Sequence, residues 1–470
     1  MHRIRSHFPS ERREGGMTLI ELLVAMMVFA VIAVGVSMSI TSVLSTTSGS
    51  RARVVATNLA ASDIDFVRSL DDVFDVLTET YEREVDGTRF TINRSTSWIS
   101  TAGTDVRCDS AGGALQYKRV NVTVTWQGNM STEVRADTIL TPGSRINEPT
   151  TGTILVSVKN AAGAGTPDVK VTATQTSEGG AITETPPLTD ADGCSYLLKV
   201  VPGTYTVKLE KTGSVDNLHN PTPESVVTVL KGQSTSASFA YDAAARYSVT
   251  YAATPTPAAP LPGAIKIPTN MEVSVLGGGP PVVRALSSTM NLFPAGAGYQ
   301  MIAGAFMPET IEEAGAPAAK ESCMVVDPTS WVDDETATPP RVGQLPNLVA
   351  AKPPASTAIT VPIGVVSITG DSEQRYLFAE RITTPEVSAS GQPACTDAVT
   401  YSFGDTVIPQ GTNKTVTVGL PFGTWKLYTS PRSNGTNPTA LDTTRVTVRT
   451  STPPPPGSKT FTLDPRTALP

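Results

Sequence analysis

Apolar side chains run almost without interruption from Met17 to Ile40, broken only by Thr18, Glu21 and a few serines. A helix of that length spans the hydrocarbon core of a bilayer. Beyond it, apolar positions recur every three or four residues, which predicts an amphipathic continuation of the same helix. We therefore expect one helix over residues 17–77 whose first part is apolar on all sides and whose second part has one apolar face.

The period of the pattern changes to two after this helix. Alternating apolar and polar residues predict strands at Arg89–Asn93, Tyr117–Trp126 and Glu133–Leu140. Consecutive short strands with turn residues between them favour an antiparallel sheet. The expected fold class of residues 17–146 is therefore α+β, with a long N-terminal helix packed on a small antiparallel sheet.

All-β modules are predicted to follow. The chain has 37 glycines and 38 prolines among 470 residues, and strand-like segments separated by turns continue to its C-terminal region. We expect a β-sandwich at residues 150–242, an irregular β-rich domain at 247–342 and a second sandwich at 356–465.

The first of these modules carries Thr189-Asp190-Ala191-Asp192-Gly193 and then Val201-Pro202-Gly203-Thr204-Tyr205-Thr206-Val207. This order resembles the carboxypeptidase-regulatory-like, or transthyretin-like, β-sandwich. Leu420–Tyr428 repeats the second stretch with Pro, Gly-Thr and an aromatic residue in the same order, and it predicts a related sandwich. The alternative is a common turn on unrelated sandwiches. The Asp-x-Asp-Gly turn lacks the later Glu of a calcium-binding loop, so we interpret it as a hairpin turn.

Residues 1–16 form a short charged leader in front of the apolar helix. Its arginines outnumber its acidic residues, which favours a cytoplasmic position for the leader and an outside position for the rest of the chain. A secretory signal would place small residues after its apolar run. Here Gly15-Gly16 stands before the run, so cleavage at this point would keep the helix in the mature protein.

Glu21 is the unusual residue of the apolar run. A carboxylate in hydrocarbon is costly and marks a functional site by default. Cleavage after Gly16 would create a free amine at Met17, and the amine of one subunit could neutralise Glu21 of a neighbour. The alternative is an ordinary signal anchor with Glu21 near the lipid headgroups.

The run Gly16-Met17-Thr18-Leu19-Ile20-Glu21 followed by Leu22-Leu23-Val24-Ala25 resembles the class III leader of type IV pilins and pseudopilins. The resemblance implies a prepilin peptidase that cuts between Gly16 and Met17, N-methylation of Met17, and a role of Glu21 in filament assembly. It also implies other pilin subunits and the pilus assembly platform as partners. Met17 departs from the commoner Phe, and the helix lacks the prolines of many major pilins.

Composition narrows the function further. The formal net charge is −7, which weighs against nucleic-acid binding through the bulk field. Of three histidines only His219 lies outside the leader, and no HExxH or CxxC motif is present. We therefore expect no enzymatic activity, no cofactor and no metal site.

The four cysteines are widely spaced, as in exported proteins with occasional disulfides. Four cysteines allow three connectivities. We favour Cys323–Cys395 because both lie in the C-terminal half, with Cys108–Cys194 as the second pair; four free thiols are the alternative.

Together these features predict a low-copy pilin or pseudopilin, held by one helix in the cytoplasmic (inner) membrane with its modules outside, and later part of a surface filament. Modules this large would clash if every subunit carried them, which favours a position at the tip. The alternative is a surface adhesin that uses the pilin leader and helix for export and anchoring, with an unknown surface ligand.

Overall fold

The computed structural model describes residues 18–101, 103–110, 112–126, 133–142, 149–182, 185–308, 323–371, 373, 375–384, 386–388, 390–411, 413–455 and 457–468. The chain divides into two compact units. The first unit is the N-terminal part up to residue 146, except for residues 108–111. These four residues and everything from residue 147 onward form the second unit.

The first unit is a long helix on an antiparallel sheet, which confirms the predicted fold class. Its elements are α1 (Leu19–Arg68), a 3₁₀ turn (Val73–Asp75), β1 (Glu79–Val85), β2 (Thr88–Ser100), β3 (Asp105–Val106), β4 (Gly112–Gly113), β5 (Leu115–Trp126) and β6 (Val134–Leu140). The sheet has the order β1-β2-β5-β6, and β3 pairs with β2.

Only the second half of α1 packs on this sheet. Small and branched residues one turn apart face it, which lets the helix approach closely. Ala56, Ala60, Ile64 and Val67 are buried against a sheet face formed by Phe90, Ile92, Val120, Val122 and Val124.

The helix ends earlier than the predicted residue 77. It stops at Arg68, and the backbone N–H of Ser69 closes the last turn by donating to Asp65 O and Phe66 O. Asp71 and Asp72 follow, and negative charge is unfavourable at a helix C-terminus. The Asp72 side chain instead accepts from Phe74 N at 2.9 Å and starts the short 3₁₀ turn.

The second unit begins with a two-sheet sandwich. Its strands are β7 (Gly152–Lys159), β8 (Lys170–Ser177), β9 (Cys194–Val200), β10 (Gly203–Glu210), β11 (Ser214–Asp216), β12 (Glu224–Val229) and β13 (Gln233–Ala243). One sheet has the order β12-β10-β8, and the other contains β11-β13-β7-β9 with β7 and β13 parallel. Strand β7 is buried along nearly its whole length because sheet neighbours flank it and the second sheet covers it.

The remaining strands are β14 (Ala245–Ala253), β15 (Glu272–Leu276), β16 (Val282–Ala285), β17 (Thr289–Leu292), β18 (Gln300–Ala303), β19 (Arg341–Val342), β20 (Ser356–Thr369), β21 (Arg375–Arg381), β22 (Thr400–Ile408), β23 (Thr415–Leu420), β24 (Gly423–Ser430), β25 (Thr439–Ala440), β26 (Val446–Val448), β27 (Phe461–Leu463) and β28 (Thr467–Ala468). Two 3₁₀ turns lie at Pro328–Ser330 and Thr443–Arg445. The main sheets have the orders β17-β14-β20-β23, β16-β15-β18 and β22-β21-β24-β25.

Most of these strands contribute to one hydrophobic core that extends from Ala245 to Leu463. The predicted boundary between domains 247–342 and 356–465 therefore does not separate two cores. The physical reason is long-range pairing: β14 runs parallel to β20 over eight residue pairs, from Arg246↔Ser356 to Ala253↔Ile363. Sequence periodicity cannot reveal a partner about one hundred residues away.

The repeated Pro–Gly-Thr–aromatic stretch has the same local structure in both copies. Tyr205 on β10 and Trp425 on β24 are both fully buried. The Tyr205 hydroxyl donates to Val201 O at 2.7 Å, and the Trp425 indole N–H donates to Pro421 O at 2.9 Å. In each copy a buried aromatic ring thus satisfies the carbonyl four residues before it.

Candidate functional site

The first half of α1 is exposed along its whole length in the isolated chain. Its large apolar side chains are from 51% (Leu22) to 78% (Leu19) exposed. Among the described residues, α1 is the helix that is long and apolar enough to cross a membrane. An apolar surface this large needs a lipid or protein environment. This half of α1 and its acidic residue, Glu21, form the candidate site.

Glu21 lies in the first turn of α1 and its side chain is exposed. Its backbone N–H donates to Thr18 O at 3.0 Å, so the helix is already formed at this residue. The helix dipole favours a carboxylate at this end, yet neighbouring apolar side chains surround it. A cation supplied by another molecule is the natural partner of such a group in a dry environment. Gly16 and Met17 lie outside the residues that the structure describes.

The Ser/Thr-rich segment 45–50 remains helical, although its composition disfavours a helix. Hydroxyl groups donate to carbonyl groups in the preceding turn. Thr46 donates to Ser42 O and Thr47 to Val43 O, each at 2.8 Å. These bonds pair the hydroxyls of Thr46 and Thr47 within the helix itself, which lowers the cost of placing them in an apolar environment.

A buried ion pair fastens α1 to the sheet, and the sequence analysis missed it. The Asp63 and Arg94 side chains are 2% and 4% exposed, and Arg94 Nη1 donates to Asp63 Oδ1 at 2.9 Å. Arg94 also pairs with Glu79, while Tyr81 donates its hydroxyl to Asp63 at 2.9 Å. Burial, followed by the contact with Asp63, raises the pKa of Tyr81 to about 12. The signal in the sequence was an Asp on the apolar face of an amphipathic helix.

Both cysteine pairs considered above are disulfide-bonded in the structure. Cys323 joins Cys395, and Cys108 joins Cys194 within the second unit. The Arg381 guanidinium lies beside the first bond, with Nη1 at 3.2 Å from Cys323 Sγ and at 2.9 Å from Asp397 Oδ2. Both bonds lie in the second unit, and none of the four cysteines belongs to α1, which carries the candidate site.

His219 is a core residue in this structure. It is 4% exposed, and its Nδ1 accepts the backbone N–H of Phe293 at 3.1 Å. Burial, with a smaller contribution from Arg284, lowers its pKa to about 4. The nitrogen that a catalytic triad would direct at a carboxylate is therefore occupied by a backbone amide. Among the described residues, no group of three or more His, Cys, Asp or Glu side chains has the arrangement of a metal site.

The Asp-x-Asp-Gly segment forms a tight turn. The N–H of Gly193 donates to Asp190 O at 2.9 Å, and the Asp190 side chain accepts from Cys194 N at 2.8 Å. The turn leads directly into β9. The strand before it, β8, lies in the other sheet, and β9 pairs with β7. The segment is therefore a tight turn that starts a strand, and the expectation that it joins two paired strands as a hairpin turn was wrong.

The C-terminal part of the second unit has a groove of about 1000 Å³. Acidic, hydroxyl and aliphatic side chains line it, together with two arginines that carboxylates already neutralise. Arg466 forms a two-pronged pair with Asp464 at 2.8–3.0 Å, and Arg341 pairs with Asp334 at 2.6 Å. Hydrogen bonding by Thr336 and Arg341 holds the pKa of Asp334 well below its usual range.

The N-terminal segment has a recognised counterpart. Residues 12–37 match the family described as the prokaryotic N-terminal methylation motif. The match covers the end of the leader, Gly16, Met17, Glu21 and the first part of α1. The chain therefore carries a prepilin-type leader in front of an exposed apolar helix.

No curated protein matches the chain. Solved structures with partial similarity include the Bacillus anthracis TIE protein, with 11% identity, a TM-score of 0.19, and 76% of this chain and 68% of that chain covered. A streptococcal ancillary pilin has 11% identity and a TM-score of 0.13, with 62% and 94% covered. A variant of the major pilin subunit of Bacillus cereus has 12% identity and a TM-score of 0.17, with 62% and 95% covered. At these TM-scores no conclusion rests on the similarity.

Proposed function

We propose that this protein is a low-copy type IV pilin or pseudopilin subunit that presents β-modules on a surface filament. The observation that carries the proposal is the methylation motif at residues 12–37, which leads into a helix whose apolar half is exposed. The membrane stores this helix first. Helices of neighbouring subunits then cover it in the filament, where Glu21 pairs with the Met17 amine of a neighbour.

The size of the second unit supports the low copy number. Residues 147–470 all belong to the second unit, and they come in addition to the helix and sheet of the first unit. At or near the tip of the filament, the second unit would not clash with the second units of neighbouring subunits. Quantification of the protein against the main subunit of sheared filaments tests this; a chain that makes up most of the filament would rule out the low-copy role.

The assembly role of Glu21 is tested by Glu21→Gln, which keeps the size of the side chain and removes its charge. Leu23→Gln is the matched control, because it adds the same polar amide two residues away in the exposed apolar half of α1. We expect both variants to be processed and held in the membrane, with the filament fraction lost only in Glu21→Gln. Equal incorporation of Glu21→Gln and the wild type would contradict the role of the charge.

The groove favours a second candidate function, an adhesin. Its lining combines the exposed carboxylates of Asp333 and Glu335 with exposed Val332 and Val387. The test is binding of the full-length protein to host or bacterial cell surfaces. The double variant Asp333→Ala/Glu335→Ala should lose that binding while its incorporation into filaments stays normal. This result would support the adhesin function and its location in the groove.

A further inference from the structure

The first sandwich of the second unit is joined to the strands that follow it almost without a linker. Strand β13 ends at Ala243 and β14 begins at Ala245, so Ala244 alone separates them. The Ala244 N–H donates to Gly213 O at 2.8 Å, which ties even this residue to the first sandwich. Any change of angle between the two parts must therefore occur at this junction or break contacts beside it.

The turn after β11 makes those contacts by inserting His219 into the neighbouring strands. Asp216 fixes the turn, since its Oδ1 accepts from Leu218 N at 3.0 Å and from Asn220 N. His219 itself has φ +64°, a left-handed backbone conformation. The ring meets Tyr299 edge to face, with 5.3 Å between ring centroids.

Two hydrogen bonds complete the contact. His219 Nδ1 accepts from Phe293 N at 3.1 Å, and Arg284 Nη2 donates to Leu218 O at 2.7 Å. The Tyr299 hydroxyl in turn donates to Phe293 O at 2.7 Å. Both the N–H and the carbonyl group of Phe293 are therefore held by hydrogen bonds. The Phe293 bond requires a lone pair on Nδ1, and a protonated imidazole has none.

We propose that His219 is an acid-sensitive latch that holds the first sandwich against the strands after Ala244, and that its protonation frees the junction. The latch is a conformational device independent of filament assembly. At neutral pH it holds the described residues of the first sandwich and of the strands after Ala244 together as one rigid arm. In acid the two parts of this arm separate at Ala244 while each keeps its own core.

The groups around the ring favour this response. Arg284 faces it from β16 and its positive charge opposes a second cation. Asp216, on the ring's own turn, uses one carboxylate oxygen to accept from two backbone amides. The phenols of Tyr299 and, behind it, Tyr247 are neutral throughout this pH range, and burial raises the pKa of both further from it.

The direction in which pH changes the docking equilibrium follows from the direction of the His219 pKa shift. The pKa of His219 is about 4 when docked and the ordinary 6.5 when the ring is in water. The undocked form therefore binds a proton first as the pH falls, and docking weakens between about pH 6.5 and about pH 4. At pH 4.5 the docking equilibrium should be weaker than at pH 7 by on the order of 10²-fold.

Hydrogen exchange of the Phe293 amide in the full-length protein, held in detergent micelles, measures the latch directly. The wild type should lose on the order of 10²-fold of protection between pH 7 and pH 4.5, after correction for intrinsic exchange. His219→Asn is the matched control, because Asn adopts left-handed backbone conformations, offers an amide oxygen as acceptor and does not titrate. Its protection should not change with pH.

A second measurement does not depend on the variant. Spin labels on genetically encoded keto residues at Lys231 and Asn434, which are exposed in the two parts, should give one narrow distance distribution at pH 7 and a broad one at pH 4.5. A narrow distribution at both pH values, or equal loss of Phe293 protection in wild type and His219→Asn, would overturn the latch. Loss of protection in β7 together with Phe293 would also overturn it, because it would report unfolding of the sandwich.

Discussion

The ion pair between Asp63 and Arg94 should dominate the stability of the first unit. Arg94→Met removes the cation and keeps an unbranched side chain of similar length. It leaves the Asp63 carboxylate buried at 2% exposure with only the Tyr81 hydroxyl as a partner among the contacts described above. Loss of one partner of a buried pair costs about 3–5 kcal/mol. We expect a decrease of that size in the unfolding free energy of the first unit.

The same strand provides the control. Arg89 on β2 pairs with Glu82 at 3.7 Å, and both side chains are more than half exposed. Arg89→Met should cost less than about 1 kcal/mol because water replaces the lost interaction. Urea titration of the full-length protein in micelles, followed by hydrogen exchange of β2 and β5 amides, gives both values. Equal costs for Arg89→Met and Arg94→Met would refute the reasoning.

A double variant separates the cost of an unpaired charge from the cost of altered packing. Asp63→Leu combined with Arg94→Met removes both charges, and apolar replacement of a buried pair is often neutral or stabilising. The double variant should therefore be more stable than Arg94→Met alone. If it were less stable by the sum of the two single effects, the pair would not be coupled.

Two further variants probe the first sandwich. Tyr205→Phe leaves Val201 O without its buried donor and should lower the unfolding free energy by about 1–3 kcal/mol in thermal or urea unfolding. Gly203→Ala should abolish or severely weaken the sandwich, because φ is +157° and an added Cβ would lie 1.7 Å from Glu178 O. Gly263→Ala, where an added Cβ meets nothing within 4 Å, should fold normally; equal stability of the two glycine variants would contradict this geometry.

The features that local sequence predicts are those that depend on neighbouring residues. The apolar run predicts the long helix, and the acidic residue at position 21 stands out within it. Alternation of apolar and polar residues predicts strands β2 and β5, and helix and strands together give the α+β fold class. The Pro–Gly-Thr–aromatic repeat identified two strands whose Tyr205 and Trp425 have the same structural role.

The features that sequence did not predict depend on distant partners or on charge near a helix end. The parallel pairing of β14 with β20 merges two predicted domains into one core. Arg94 lies 31 residues from Asp63, and nothing in the local pattern joins them. The burial of His219 is not predictable from its neighbours, since its hydrogen-bond partner, the Phe293 amide, lies 74 residues further along the chain.

The central claim is that this chain matures by removal of its leader and enters a filament through its N-terminal helix. Mass spectrometry of the N-terminal peptide from purified, sheared filaments tests it most directly. The account predicts a peptide that begins at Met17 with one methyl group on its amine. A filament fraction without this protein, or a mature chain that keeps residues 1–16 or begins after the apolar helix, would contradict it.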